Sequence, residues 1–248
     1  MYLVLDIGNT SAKAALMTHD TCHSLTHIPC ATGHAAAIDW AATIAPLLTA
    51  PCSAVLISDV GAPCIEREAW LRDLGCPIFR LTTATPSAAH FLQGIPAGYG
   101  ADRLAADIAA RHCVSDAPLL VIDAGTCITY DIIGADGRLL GGSITPGAAL
   151  RLQAMHDHTA ALPLISVEGA DPVEGYDTAT AMRGGVMHGV RWEIEGYIRY
   201  VMARYPDIRV FGTGGGFPTL CADLTPRLIV DKLLVQHGLI AAYESEHP

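Results

Sequence analysis

The strongest constraint on this chain is a device written twice. Leu3-Val4-Leu5-Asp6-Ile7-Gly8-Asn9-Thr10 and Leu119-Leu120-Val121-Ile122-Asp123-Ala124-Gly125-Thr126 each run an apolar strand into a carboxylate and then into a glycine turn that carries a hydroxyl. The strand delivers Asp at its carboxyl end, glycine lets the backbone approach an anion closely, and Asn or Thr offers hydrogen bonds to phosphate oxygens. A single Asp-x-Gly turn says little. Two copies, each after an apolar run and centred on positions 6 and 123 of 248, are what two similarly folded domains facing each other across a cleft produce. The pattern points to nucleotide chemistry.

Composition narrows the class. An apolar fraction of 51% over 248 residues is enough for two modest cores. No apolar run reaches the roughly 18 to 20 residues that cross a bilayer, so no membrane partner is expected. Met1 leads to Asp6 within one strand, with no basic region and no small-residue cleavage site, and a cytoplasmic location is therefore expected. A net charge of −10 with only two lysines, Lys13 and Lys232, argues against a broad electrostatic grip on nucleic acid. Phosphate must then be held by backbone N–H groups, a metal ion and a few local cations. The eight cysteines are scattered without a Cys-x-x-Cys pair and read as reduced, small hydrophobes. His19, Cys22, His23, His27 and Cys30 crowd one stretch, but alternation along a hairpin divides them between faces. His156-Asp157-His158 reads as a solvated helix end.

Strand and turn signals organise the chain. Strands are expected at 2–7, 12–17 and 23–28, a helix over 35–48, a strand at 55–58, a helix at 65–74 and a strand at 77–81. The proline- and glycine-bearing stretch 82–99 reads as irregular and as skirting the active site. A helix follows Gly100 and runs to 112, and Ser115-Asp116-Ala117-Pro118 separates two lobes. The second lobe repeats the pattern with strands at 119–123, 127–133 and 138–144, a long helix over 178–205, strands at 208–211 and 228–230, and a last helix from about 233. Hairpin-linked strands followed by helices alternating with short strands make a mixed α/β plan.

Three further segments carry chemistry. Gly100-Ala101-Asp102-Arg103 sets a carboxylate beside a guanidinium at a helix start, where the dipole favours anions. Asp102 there can accept a proton from a substrate hydroxyl and Arg103 can bind a carboxylate bidentately, or the pair can be an N-capping Asp with a surface Arg. Gly141-Gly142-Ser143-Ile144-Thr145-Pro146-Gly147 joins a strand to a helix through residues suited to close backbone approach. Phe211-Gly212-Thr213-Gly214-Gly215-Gly216 could let adenine or ribose lie against bare backbone. It lacks the Gly-x-Gly-x-x-Gly spacing and comes late in the chain, which disfavours a Rossmann site. No P-loop motif occurs.

With its ordered set of Asp6-Ile7-Gly8-Asn9-Thr10, Gly100-Ala101-Asp102-Arg103, Asp123-Ala124-Gly125-Thr126 and Gly141 through Gly147, the chain resembles the type III pantothenate kinases. They belong to the superfamily of acetate and sugar kinases, heat-shock chaperone ATPases and actin. The tail from Leu152 through Thr159-Ala160-Ala161-Leu162-Pro163 extends the likeness. The resemblance implies an α/β fold of two ribonuclease-H-like domains, 1–115 and 116–248, with mixed sheets facing a central nucleotide cleft. It implies ATP-dependent phosphorylation of pantothenate as the first step towards coenzyme A, a homodimer, and a need for Mg²⁺ and a monovalent cation such as K⁺ or NH₄⁺.

Carried over by position, Asp6, Ile7, Gly8, Asn9, Thr10, Ser11, Ala12 and Lys13 face the ATP phosphates, with Asp6 near the metal and Lys13 near phosphate. Asp102 is the general base, Gly100, Ala101, Asp102 and Arg103 border pantothenate, and Thr126 contacts ATP. Asp123 coordinates the monovalent cation, although a carboxylate so placed could equally serve a second Mg²⁺. Thr178 matches the family's substrate-contacting Thr, with Thr180 a competing choice. Many members carry an aromatic substrate contact seven residues before the Gly of the Gly-x-Asp-Arg motif. Here that position is Gln93, with Phe91 and Tyr99 nearby. A non-catalytic nucleotide-binding regulator on the same fold is the rival from another class, and it would be expected to lose an acidic site residue. Another small-molecule kinase of the superfamily is the rival within the class.

Overall fold

The computed structural model describes residues 1–19, 21–30, 38–61, 63–217, 221 and 224–248. The strands named here form two five-stranded mixed sheets with the same topology. The first takes β1 (Tyr2–Ile7), β2 (Ser11–Met17), β3 (Cys22–Pro29), β4 (Ala54–Asp59) and β5 (Ile78–Arg80) in the order β3-β2-β1-β4-β5. The second takes β6 (Leu119–Ala124), β7 (Cys127–Ile133), β8 (Leu139–Pro146), β9 (Arg209–Thr213) and β10 (Leu228–Val230) in the order β10-β9-β6-β7-β8. In each, the central strand has an antiparallel hairpin partner on one side and a parallel strand on the other. The duplication seen in the motifs is therefore a duplication of whole sheets. Two compact units result, one of residues 1–115, 137–139 and 233–248, the other of residues 116–136 and 140–232.

The core of the first unit is built by alternation. Leu3, Leu5 and Ile7 of β1, Ala12 and Ala14 of β2 and Val55 and Ile57 of β4 meet Trp40 and Ile44 of α1 (Trp40–Ile44) and Leu71 of α2 (Ile65–Asp73). The expected helix over 35–48 is cut short. Residues 35–37 lie outside the described residues, Asp39 caps α1 by accepting from the Ala42 N–H at 2.9 Å, and the chain then tightens into a 3₁₀ turn over Ala45–Leu47. Pro46 supplies the reason, since it has no N–H for the helical ladder. The stretch 82–99 is not wholly irregular either: it contains α3 (Pro86–Phe91), opened by a proline at its first position, where a missing N–H costs nothing.

Another helical pair packs against β1 and β4 in this unit: α4 (Ala101–Cys113) and the last helix, α7 (Leu234–Glu246). Small residues let these two helices meet backbone to backbone. Leu104, Ala105, Ala106, Ile108, Ala109 and Ala110 of α4 are all buried. A Cβ placed on Gly238 of α7 would lie 1.8 Å from the Ala105 carbonyl oxygen.

In the second unit α5 (Ala148–Asp157) and the long α6 (Thr178–Arg204) cover the sheet. Met182, Val186, Val190, Ile194, Ile198 and Val201 recur every three or four residues and form one buried stripe against Leu120, Ile122, Tyr130 and Val210. The rest of α6 is less committed, with Trp192 56% and Tyr200 63% exposed. His156, Asp157 and His158 stand exposed at the end of α5, and His23 and His27 fall on the exposed face of β3 with Cys30 buried just beyond it. All eight cysteines are free thiols.

The Gly238 contact sets up a test in which two effects oppose each other. Alanine is intrinsically better than glycine in a helix by about 1 kcal/mol, whereas a methyl forced into a filled space typically costs 1–3 kcal/mol. Because the obstacle is backbone, Gly238→Ala is expected to lower unfolding free energy by about 2 kcal/mol in urea titrations. A gain of stability would show that the helices do not meet at this point.

Candidate active site

Asp6 is the penultimate residue of β1, opposite Lys13 of β2 and in parallel register with Ser58 of β4. The turn after it is closed by Gly8 N–H donating to Ser11 O at 3.0 Å. A Cβ on Gly8 would stand 2.9 Å from that same oxygen. Cys30 N–H donates to Thr10 O at 2.8 Å and anchors the turn to the end of β3. Residues 6–13 are thus one hairpin. Asn9 and Ser11 are exposed, Asp6, Gly8, Thr10 and Lys13 are half-buried, and Ile7 and Ala12 turn into the core, so the last two can offer a ligand only their main chain.

Asp59, at the end of β4 and level with Ile7, was not singled out by sequence. Its carboxylate accepts from Gly61 N–H at 3.0 Å and from the buried Arg67 guanidinium at 2.5 Å. Burial pushes this carboxyl up, opposed by Arg67. With Arg80 also 3.9 Å away, it ties β4 to α2 and to the end of β5.

The start of α4 is arranged within a few residues. Gly100 is the N-cap residue, and the Asp102 carboxylate accepts from Arg103 N–H at 2.8 Å while lying where a Cβ on Gly100 would sit 2.5 Å from it. Arg103 lies over the Tyr99 ring at 4.3 Å, and the Tyr99 hydroxyl donates to the buried Asp107 at 2.7 Å. Tyr99 is therefore the support under Arg103. Phe91 instead packs edge-on to His90 and His112, and Gln93 is exposed.

Asp123, near the end of β6, is in register with Thr129 of β7 and Thr213 of β9. Three backbone segments converge around it. Gly125 N–H donates to Cys127 O at 2.9 Å, Gly147 N–H donates to Thr126 O at 2.9 Å, and Gly216 N–H donates to Ala124 O at 3.1 Å. Gly147 lies so close to Gly125 that a Cβ would be 2.2 Å from the Gly125 oxygen. Gly214, at φ +90°, would place a Cβ 2.4 Å from both Asp123 Oδ1 and Ala124 O. The glycine run expected to lie along a nucleotide is thus partly spent inside the protein: Gly214 faces Asp123 and Gly212 faces the Phe217 ring, while Gly215 borders open space.

At the N-terminus of α6 a capping box distinguishes Thr178, the family match, from Thr180, the competing choice. Thr180 is buried, its N–H and hydroxyl both bonded to Asp177 at 2.7 Å, and it accepts from the main chain of Tyr176 and Asp177. These hydrogen bonds hold the Asp177 carboxyl below its ordinary value. Thr178 is exposed.

Among the described residues no three His, Cys, Asp or Glu side chains gather into a cage for a metal ion. Single carboxylates at strand ends suit a cation that brings its own phosphate ligands, which is how Mg²⁺ is commonly held.

The match of residues 2–200 to the type III pantothenate kinase family decides the lineage. The chain belongs to that family. It is 36% identical to the type III pantothenate kinase of Bacteroides fragilis, over 96% of each chain. Among solved structures it resembles a Campylobacter jejuni protein named for the Baf transcriptional-activator family, at 22% identity and TM-score 0.57, with 99% of this chain and 98% of that one covered. It also resembles a Listeria monocytogenes protein described as an N-acetylmannosamine kinase, at 14% identity and TM-score 0.56, covering 100% and 99%. At these identities the structural likeness carries the fold alone, the α/β fold of the actin-like ATPases and sugar kinases.

For a member of this kinase family the convergence at Asp123 yields a specific expectation. Gly214→Ala must adopt a left-handed backbone and push aside a carboxylate and a carbonyl together, each of which opposes it. It should lower the stability of the protein by about 2 kcal/mol or more in denaturant titration, whereas Gly215→Ala, which meets open space, should change it by less than about 1 kcal/mol.

Proposed function

We propose that this protein uses ATP to phosphorylate the primary hydroxyl of pantothenate, giving 4'-phosphopantothenate, the first step towards coenzyme A. The observation that carries this reading is the 36% identity with a type III pantothenate kinase over 96% of both chains. The presence of Asp6, Asp102 and Asp123 supports catalysis over a non-catalytic regulatory role.

In this reading Asp102 accepts the proton of the pantothenate hydroxyl as its oxygen forms a bond to the γ-phosphorus and the bond to the departing ADP oxygen breaks. Arg103, supported on the Tyr99 ring, binds the pantothenate carboxylate, and Gly100 and Ala101 border the substrate. Thr178 is the better placed threonine for a substrate contact, because the Thr180 hydroxyl is committed to Asp177. Residues 6–13 address the ATP phosphates through the exposed Asn9 and Ser11, through Thr10 and Lys13, and through main-chain groups. Thr126 contacts ATP, Asp6 lies on the Mg²⁺ side, and Asp123 holds K⁺ or NH₄⁺. Bound Mg²⁺ and the monovalent ion would neutralise phosphate charge that this acidic chain offsets with few cations of its own. The reading includes two ribonuclease-H-like domains and a cytoplasmic homodimer. Trp192 and Tyr200, exposed on a helix whose other face is buried, support the dimer.

An assay with pantothenate, ATP and fixed Mg²⁺ tests the activity directly. Turnover is expected to be low in tetramethylammonium buffer and to rise on adding K⁺, and Asp123→Ala should lose that response. Asp102→Asn should retain less than about a tenth of kcat with an unchanged fold, because general-base catalysis contributes about 10²–10⁴-fold. Equal rates with and without K⁺ would remove the monovalent site, and full activity of Asp102→Asn would remove the base. Light scattering at micromolar concentration should give a mass near twice the 26.1 kDa chain; a mass near the single chain would remove the dimer.

A further inference from the structure

A cluster in the second unit has at its centre Glu193, a residue outside every motif, and draws in Thr145 and Pro146 of the segment 141–147. Glu193 projects from the middle of α6, and one of its oxygens accepts from the Tyr130 hydroxyl at 2.9 Å and from the Thr145 hydroxyl at 2.6 Å. The other accepts from the Arg151 guanidinium at 2.5 Å. Arg151 also donates through Nε to Pro146 O at 2.8 Å. The Tyr130 ring stacks on Tyr197 at 4.2 Å, and the Tyr197 hydroxyl lies 3.4 Å from Ser143 Oγ. One carboxylate thus ties together β7, β8, α5 and α6.

Burial works against this anion, yet its carboxyl is held below the ordinary glutamate value because the bonds from Thr145, Arg151 and Tyr130 outweigh that penalty. Burial together with Glu193 pushes the Tyr130 phenol up, so the phenol stays protonated as a donor. A half-buried charge is a poor way to gain stability, since an apolar side chain of similar volume often does as well. Its four-element geometry is better suited to fixing position. Thr145 and Pro146, both held by the cluster, immediately precede Gly147, which donates to Thr126 O and packs on Gly125 O. The contact chain from Glu193 to the turn after Asp123 is therefore short and lies wholly in one unit.

We propose that Glu193 is a positioning residue for the phosphate-handling turn at Asp123, acting through Thr145 and Pro146 to hold Gly147 against Gly125 and Thr126. The proposal rests on the kinase reading, in which Thr126 contacts ATP. It predicts that loosening the cluster weakens nucleotide handling selectively and leaves alone the pantothenate contacts at the start of α4 and at Thr178, which lies about four turns from Glu193 along α6.

The test compares wild type, Glu193→Gln and, as a control, Glu195→Gln, whose partner Arg199 is an exposed neighbour on the same helix. Glu193→Gln keeps an acceptor for the hydroxyls but loses the ion pair with Arg151. Calorimetric Kd for a non-hydrolysable ATP analogue and KM for ATP are expected to rise about five- to tenfold, because only part of the cost of a lost charge-assisted hydrogen bond reaches the turn through Thr145 and Pro146. KM for pantothenate should stay within about twofold, and Glu195→Gln should match wild type. If Glu193→Gln does not fold, Tyr130→Phe removes one donor and should move the same two quantities about two- to threefold. Unchanged nucleotide affinity in the folded variant, or an equal loss in every kinetic parameter, overturns the proposal. Wild-type protein that binds the analogue without phosphorylating pantothenate sinks the kinase reading, and the Kd ratio still decides the role of Glu193. Wild-type protein that binds no nucleotide overturns both.

Discussion

Each central strand is held between neighbours of opposite sense, and the rest of each unit follows from that pairing. β1 lies between its antiparallel hairpin partner β2 and the parallel strand β4, and β6 lies between β7 and the parallel β9. A hairpin partner needs only a tight turn, but a parallel partner requires a crossover long enough to carry a helix. The first crossover carries α1, and the second is long enough to carry both α5 and α6. Those helices bury the odd-numbered face of β1 and the even-numbered face of β6. The carboxyl ends of the central strands are left with a short turn on one side and a hydroxyl residue on the other, Ser58 beside Asp6 and Thr213 beside Asp123.

The two copies share a plan and differ in what stabilises the turn. The first has three residues between strands and closes itself, Gly8 bonding to Ser11 across the loop. The second has only Gly125 and Thr126 between strands, and besides its own bond from Gly125 to Cys127 it is braced by Gly147 and by residues 214–216. The glycines there are required by distance: at Gly147 and Gly214 a methyl group would fall within 2.5 Å of backbone oxygen. The glycine run after β9 had a visible signal in sequence, a strand ending in Gly-Thr-Gly-Gly-Gly. Its use did not. Nothing local tells whether bare backbone faces a ligand or another part of the chain.

This difference explains what could be read before the structure. Alternation and turn chemistry were sufficient for the hairpins, for α4 behind Gly100 and for the length of α6, because each depends on neighbours within a few residues. α3 has a start signal in Pro86 at its first turn, but the prolines and glycines around it give the same stretch the composition of a loop. The expected helix over 35–48 overran Pro46, whose missing N–H is a local fact that the apolar composition outweighed. The commitment of Thr180 to the Asp177 capping box has a local signal, an Asp three residues before a hydroxyl, but the exposure of Thr178 follows only once the helix start is placed. The Glu193 cluster was beyond reach. Its partners at 130, 145 and 151 are more than forty residues away, and a lone Glu on an amphipathic helix reads as a solvated side chain.

The proposed general base and the proposed cation ligand therefore answer to different kinds of change. Asp102 is placed by Gly100, Arg103 and Tyr99, all within three residues, so substitutions elsewhere should reach it only by unfolding α4 or the α7 contact that buries it. Asp123 is placed by a strand pairing and by two glycines 24 and 91 positions later in the chain, at 147 and 214, one of them tied onward to Glu193. Its geometry is the joint product of four elements, and small shifts in any of them can move it without unfolding the protein. Adjusting the nucleotide and cation side by distant substitutions is thus physically easier in this fold than adjusting the base, because packed backbone transmits a displacement that a self-contained helix start does not.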